Sequence, residues 1–309
     1  MKKMIALTLL LSAFMLTGCG VSPMGFGEAT GGRAAGPDEL NGAVKRSATD
    51  ENNPAFGGII EVTPTPKIII QGEFDNGKAL QQIYGNYNSE AKRSVWKPKQ
   101  EELSKFRYYD DIKSLQSRAV FSKSFQQGDR NRVFVVTKTA PPRDECEDCV
   151  PVLGAALFTK VDDQWRLDEQ AKAITRTGMN GELNGGKLVK IAANKYGVLF
   201  NWKHTSMGVT EEGALLLAET KNGLKEVFSM VTGSNNKAYC QENGLYEDDP
   251  NCWGFNSKLD IVSSDEGFYD LKVTMQGTKQ VDQNEVANVR ETRRFVYSDI
   301  GYRQARSRE

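Results

Sequence analysis

The sequence predicts a mainly β protein with a minor α+β character: an antiparallel multi-hairpin sheet or sandwich, with one or two helices near the start of its folded domain. Three observations carry this prediction. Short apolar and aromatic runs recur along the chain after about Ser117. Clusters of Gly, Asn and Asp separate most of them, and connections that short join antiparallel rather than parallel strands. The stretch from Lys67 to Glu309, roughly 240 residues, is long enough to bury a sizeable core.

Taken in order, Ile68-Ile69-Ile70 opens a strand and Lys78 to Tyr87 fits a short helix. Lys99 to Ser117 fits a longer one, because Leu103, Phe106, Tyr109, Ile112 and Leu115 recur at three-residue steps. Beyond it the pattern is β. Ala119–Phe125 and Arg132–Thr139 flank the turn-like Gln126-Gln127-Gly128-Asp129-Arg130. Gly154–Val161 and Trp165–Ala171 flank Asp162-Asp163-Gln164, and Tyr196–Trp202 precedes a polar loop. Ala214–Glu219 and Leu224–Val231 flank Lys221-Asn222-Gly223, an Asn-Gly hairpin signal. Lys258–Val262 and Tyr269–Met275 flank Ser263 to Phe268, and Glu291–Tyr297 and Gly301–Gln304 close the chain. The stretches ALFTKVDDQWRL, VLFNWKHTSMGV and FVYSDIGYRQ share an aromatic strand and a polar turn. Their spacing is irregular, so a regular propeller is disfavoured.

The first residues, MKKMIALTLLLSAFMLTGCG, set the expected compartment. Lys2 and Lys3 precede an apolar run, Met4 to Thr17, shorter than the roughly 20 residues of a permanent membrane helix. The run ends in Leu16-Thr17-Gly18-Cys19, which resembles the lipobox of bacterial lipoproteins. That resemblance implies a signal peptide over 1–18, cleavage before Cys19, and acylation of the Cys19 thiol and often of its amino group. Two or three chains at about 0.8 kcal/mol per buried CH₂ hold a protein on a bilayer, so the lipid bilayer is the partner expected through Cys19. Gly20 rather than Asp follows the cysteine. By the same resemblance, this implies an outer-membrane anchor facing the periplasm, with surface exposure as the variant.

Residues 19–66 read as a flexible tether. The segment is rich in Gly, Ala, Ser, Thr, Pro and Asn with no sustained period, and as a coil it spans about 40 Å. The folded domain is then 67–309. Loss of Lys2 and Lys3 takes two of the 40 basic residues, leaving 38 against 40 acidic ones. A net charge near −2 does not argue for nucleic acid or an anionic membrane surface as a partner, and no nucleic acid is expected.

With Cys19 acylated, four cysteines remain, an even number for an oxidising space. Cys146, Cys149, Cys240 and Cys252 allow three pairings, of which the simplest joins near neighbours. Closing the dozen-residue loop between Cys240 and Cys252 contributes on the order of 3 kcal/mol. A zinc site is disfavoured because the second pair lacks short ligand spacing. A redox role for Cys146 and Cys149 is disfavoured because Glu145, Glu147 and Asp148 oppose a thiolate.

No catalytic set stands out. His204 is the one histidine and reads as a surface or packing residue. Ser89-Glu90-Ala91-Lys92 matches an S-x-x-K pattern and Ser234-Asn235-Asn236 an S-x-N, but Lys-Thr-Gly is missing. Asp162-Asp163, Asp168-Glu169 and Glu247-Asp248-Asp249 lack the order of a calcium loop and suit turns. Arg290, Arg293, Arg294, Arg303, Arg306 and Arg308 form a local positive excess, read as the solvated face of the closing hairpin. Trp165, Trp202 and Trp253 are read as core aromatics. No catalytic residue, metal or cofactor is expected. The reading is a membrane-anchored envelope lipoprotein that binds an envelope protein or glycan without catalysis. An envelope hydrolase acting on glycan, or an inhibitor of a periplasmic factor, are the alternatives.

Overall fold

The computed structural model describes residues 69–99, 114–142, 150–177, 183–244, 251–264, 267–282 and 285–306. The expected signal peptide, Cys19, the tether, and Cys146 with Cys149 lie outside the described residues. The described chain forms fifteen strands and two helices, all strand pairs being antiparallel.

β1 (Ile70–Gln71) leads into helix α1 (Asn76–Tyr84), which Asp75 caps by accepting from the Lys78 N–H at 2.6 Å. The helix stops at Gly85 and Asn86, both at positive φ. β2 (Tyr87–Asn88), β3 (Arg93–Trp96), β4 (Leu115–Gln127), β5 (Arg130–Ala140), β6 (Val152–Val161) and β7 (Gln164–Arg176) follow. With β1 they make one seven-stranded sheet, ordered β1-β7-β6-β5-β4-β3-β2. β8 (Asn184–Ala192), β9 (Lys195–Ser206), β10 (Val209–Thr220) and β11 (Gly223–Asn235) begin the second sheet. After helix α2 (Lys237–Glu242) it continues through β12 (Gly254–Val262), β13 (Asp270–Asp282), β14 (Glu285–Ser298) and β15 (Gly301–Gln304), eight strands in chain order. Long meandering hairpins replace the blades of a propeller.

Strand alternation sorts the side chains into three cores. Ala79, Leu80, Ile83 and Tyr84 of α1 pack with Val133, Val135, Ala156 and Phe158 on one face of the first sheet. Its other face sends Phe134, Val136, Leu153, Ala155 and Leu157 against Val198, Phe200, Leu215, Leu217 and Leu224 of the second. The far side of β8–β11 packs Val189, Ile191, Ala214, Leu216 and Phe228 against Leu271, Val273 and Met275. The second sheet therefore folds over on itself. β5, β6 and β10 are buried on both faces, which explains the unbroken apolar runs Val133–Val136 and Ala214–Ala218. Each fully buried Leu there contributes about 1.5–3 kcal/mol.

The turns fall where Gly, Asn and Asp predicted them. Gly128, Asp162 and Gly223 sit at positive φ in the β4–β5, β6–β7 and β10–β11 hairpins. One expectation needs correction. The helix expected over Lys99 to Ser117 falls largely on residues 100–113, outside the described residues, and its last residues, Leu115 to Ser117, are strand. They pair with β3 and β5, where Ser117 Oγ meets Trp96 Nε1 at 2.8 Å and Thr139 Oγ1 at 2.7 Å. The local stripe yields to this paired, buried position. β2, β3, β8 and α2 were not predicted at all.

A candidate ligand cleft where the second sheet parts

β11 and β12 pair through three residues each, Gly233–Asn235 with Gly254–Asn256. Beyond them the strands diverge, because β11 stays with β10 while β12 follows β13. The wedge between them opens a cleft of about 680 Å³. Met230 and Val231 of β11, Trp253, Phe255 of β12 and Met275 of β13 give it an apolar lining. Glu211, Ser234, Lys279, Asp282 and Arg293 add polar groups. Two methionines and two aromatics make a surface that adapts to an apolar guest.

The neighbouring segment is held in several ways. Cys240 of α2 is bonded to Cys252, with Cα atoms 6.0 Å apart. Asn236 receives the Trp253 N–H at its Oδ1 (2.8 Å) and donates from Nδ2 to the Asn251 carbonyl (2.8 Å). Its backbone N–H donates to the Trp253 carbonyl at 3.2 Å. The Tyr239 N–H meets the Gly208 carbonyl at the β9–β10 tip, 3.4 Å away. Opposite Phe255, Gly277 has φ +130°, and a Cβ there would overlap the Gly254 carbonyl. Only glycine permits that crossing.

Register also sets His204, Glu211 and Ser234 in one row across β9, β10 and β11. Residues directly opposite stand about 5 Å apart, so His204 lies about two strand spacings, roughly 10 Å, from Ser234. Glu211 stands between them. A histidine so placed does not reach the serine proton, and Ser234 is itself buried at 6% exposure. The row gives no nucleophile–base pair.

A second cluster sits between the two sheets. Arg132 of β5, 5% exposed, donates from both terminal nitrogens to Glu219 of β10, at 2.7 and 3.2 Å. It also reaches Asp168 of β7 at 3.2 Å and Gln127 at 2.7 Å, and Thr159 donates to the same Asp168 oxygen. Burial opposes the charge of Arg132, but Glu219 and then Asp168 outweigh it and hold the guanidinium above its ordinary pKa. Asp168 and Glu219, two carboxylates gathered on one buried cation, thus form a structural tie. Neither lines the cleft.

The remaining sequence candidates are dispersed. Ser89 to Lys92 form the exposed β2–β3 turn in the first sheet, whereas Ser234 belongs to the second. Asp162 and Asp163 form a hairpin turn; Asp163 pairs with Lys160 at 3.3 Å, and Asp168 lies five residues along an extended strand. Glu247 to Asp249 lie outside the described residues. Trp165 packs edge-on to Phe74 and Trp202 packs with the core between the sheets, but Trp253 lines the cleft instead of a core. Arg293 faces the cleft, while Arg290, Arg294 and Arg303 stand on the other face of β14 and β15. Sequence reasoning missed the cleft because its walls come from five separate segments. Their only local signal was Gly254, Gly277 and the disulfide.

Comparison with known protein families, curated proteins and solved structures found no match to this chain.

Proposed function

We propose that this chain is an acylated lipoprotein of the bacterial cell envelope, anchored through Cys19, and that its β domain is a non-catalytic binding module with its ligand seat in the β11–β12 cleft. The cleft carries the reading: about 680 Å³ of apolar-lined space with charged groups and no nucleophile–base pair among its lining residues. The Leu16-Thr17-Gly18-Cys19 sequence supports the anchor.

Titration with N-phenyl-1-naphthylamine, an uncharged apolar probe, tests the seat. The wild type enhances probe emission, and the probe accepts energy from the tryptophans; Trp253→Phe, which leaves Trp96, Trp165 and Trp202, lowers the transfer, and Met230→Asp weakens binding at least tenfold. Transfer that survives Trp253→Phe unchanged places the probe elsewhere and overturns the assignment. Cys19→Ser tests the anchor separately, since it should release the protein from the membrane fraction.

A further inference from the structure

The arginines near the C-terminus acquire a meaning from register that composition hides. Inward-facing Leu271, Val273, Phe295 and Tyr297 fix the outer face of β12–β15 as the even-numbered residues of β12, β13 and β14, with Arg303 of β15. On that face Thr274 lies opposite Thr292, their hydroxyls 3.5 Å apart. One step along stand Lys272 and Arg294, opposite each other; one step the other way stands Arg290, opposite Gln276. Lys258 flanks Thr274 from β12. Same-face neighbours are about 5 Å apart across strands and about 7 Å along them. Four cations therefore ring one pair of hydroxyls, and Arg303 extends the field at the edge, opposite Val296.

Around the two threonines the described acids of this face are Asp260 and Asp270, and each is engaged: Asp260 with Lys258 at 2.8 Å, Asp270 with Arg294; Asp282, at the far end of β13 past a register shift, lines the cleft. Lys272, Arg290 and Arg303 have no acidic partner among the described residues. Asp265 and Glu266, in the β12–β13 connection, lie outside the described residues. Val262, Ser263, Ser264, Lys272, Thr292 and Arg294 share a depression of about 580 Å³ with Asp270. Val262 and Val296 are 44% and 37% exposed on the same surface. A chain with 40 basic and 40 acidic residues thus concentrates positive charge on one broad sheet face.

We propose that the outer face of β12–β15 docks on an anionic phospholipid surface, with phosphate headgroups seated among Lys258, Lys272, Arg290 and Arg294 and hydrogen-bonded by Thr274 and Thr292. The cations spread over two dimensions, which matches an array of headgroups better than a single polymer strand, and exposed valines beside them suit the headgroup boundary. The docking needs no acyl group; only the nearness of a bilayer rests on the envelope reading.

The test uses the processed chain, residues 19–309, with Cys19→Ser so that no acyl chain carries it, and vesicles of phosphatidylcholine with or without one-third phosphatidylglycerol. Binding should rise on the order of tenfold with phosphatidylglycerol and vanish in high salt. Lys272→Glu with Arg290→Glu should remove that gain, while the charge-matched Lys187→Glu with Lys190→Glu on β8 leaves it intact. All four positions are exposed, so circular dichroism should be unchanged. Equal binding to both vesicles, equal loss in both double variants, or binding to soluble polyphosphate without vesicle binding overturns the proposal. None of these results depends on whether Cys19 is acylated in the cell, which fractionation reads independently.

Discussion

Arg132→Met tests whether the tie between the sheets stabilises the fold. The guanidinium side chain is 6% exposed, whereas Asp168 and Glu219 are 35% and 30% exposed. Removing one partner of a fully buried ion pair costs about 3–5 kcal/mol, and removing one from an exposed pair about 0–1. Here the cation is buried and the carboxylates are partly hydrated, so the expected loss is about 2–3 kcal/mol. Methionine fills the aliphatic volume, which leaves two facing carboxylates without their cation as the main cost. Urea unfolding followed by tryptophan fluorescence should show a lower midpoint with an unchanged slope. Glu219→Gln should cost less, because Asp168 still holds Arg132, and the double variant should fall short of additivity by about 1 kcal/mol. The sign with pH is also fixed. A cation whose folded pKa is raised contributes its stability fully below its unfolded pKa and loses it only as pH rises through the folded value. Arginine's share is therefore flat through neutral pH. A loss under about 0.5 kcal/mol, or an additive double variant, would show that the cluster is a hydrated surface contact.

Three more outcomes follow from the same geometry. Leu216→Ala and Leu217→Ala should each cost about 3 kcal/mol, since the two face different cores and both are almost fully buried; a tolerant position in calorimetry would mean that β10 is covered on one side only. Gly277→Ala should cost about 2–3 kcal/mol and weaken binding of the apolar probe, because its Cβ meets the Gly254 carbonyl beside the cleft; unchanged unfolding and binding would contradict that crossing. Burial, then Tyr297 and Asp270, raises the Tyr302 pKa, so its contribution is complete below the unfolded phenol pKa of about 10 and is lost above it. Tyr302→Phe should flatten the alkaline loss of stability, and an unaltered pH profile would count against this burial.

The candidate site was much less legible than the strands. Asp162-Asp163 and Lys221-Asn222-Gly223 marked their hairpins because a tight turn constrains its own residues. The apolar run Ala214 to Ala218 misled only in what it left out: it announces a strand but not that separate cores cover its two faces. β8, Asn184 to Ala192, carries two glycines and two lysines three residues apart, so its strand signal comes from pairing with β9 rather than from local preference. The cleft depends on where β11 and β12 stop pairing, which no local spacing encodes.

The sequence by itself determined the antiparallel β class, the order of most hairpins and the positions of their turns, because strand period and turn chemistry are properties of neighbouring residues. It also carries the Leu16-Thr17-Gly18-Cys19 signature as a contiguous string. Tertiary structure alone decided which faces meet. It joined Arg132 to Glu219 across 87 positions, parted β11 from β12 to open the cleft, and set Lys272 beside Arg294 on one outer face. Those features follow from register and sheet packing, where a shift of one residue turns every side chain to the opposite face.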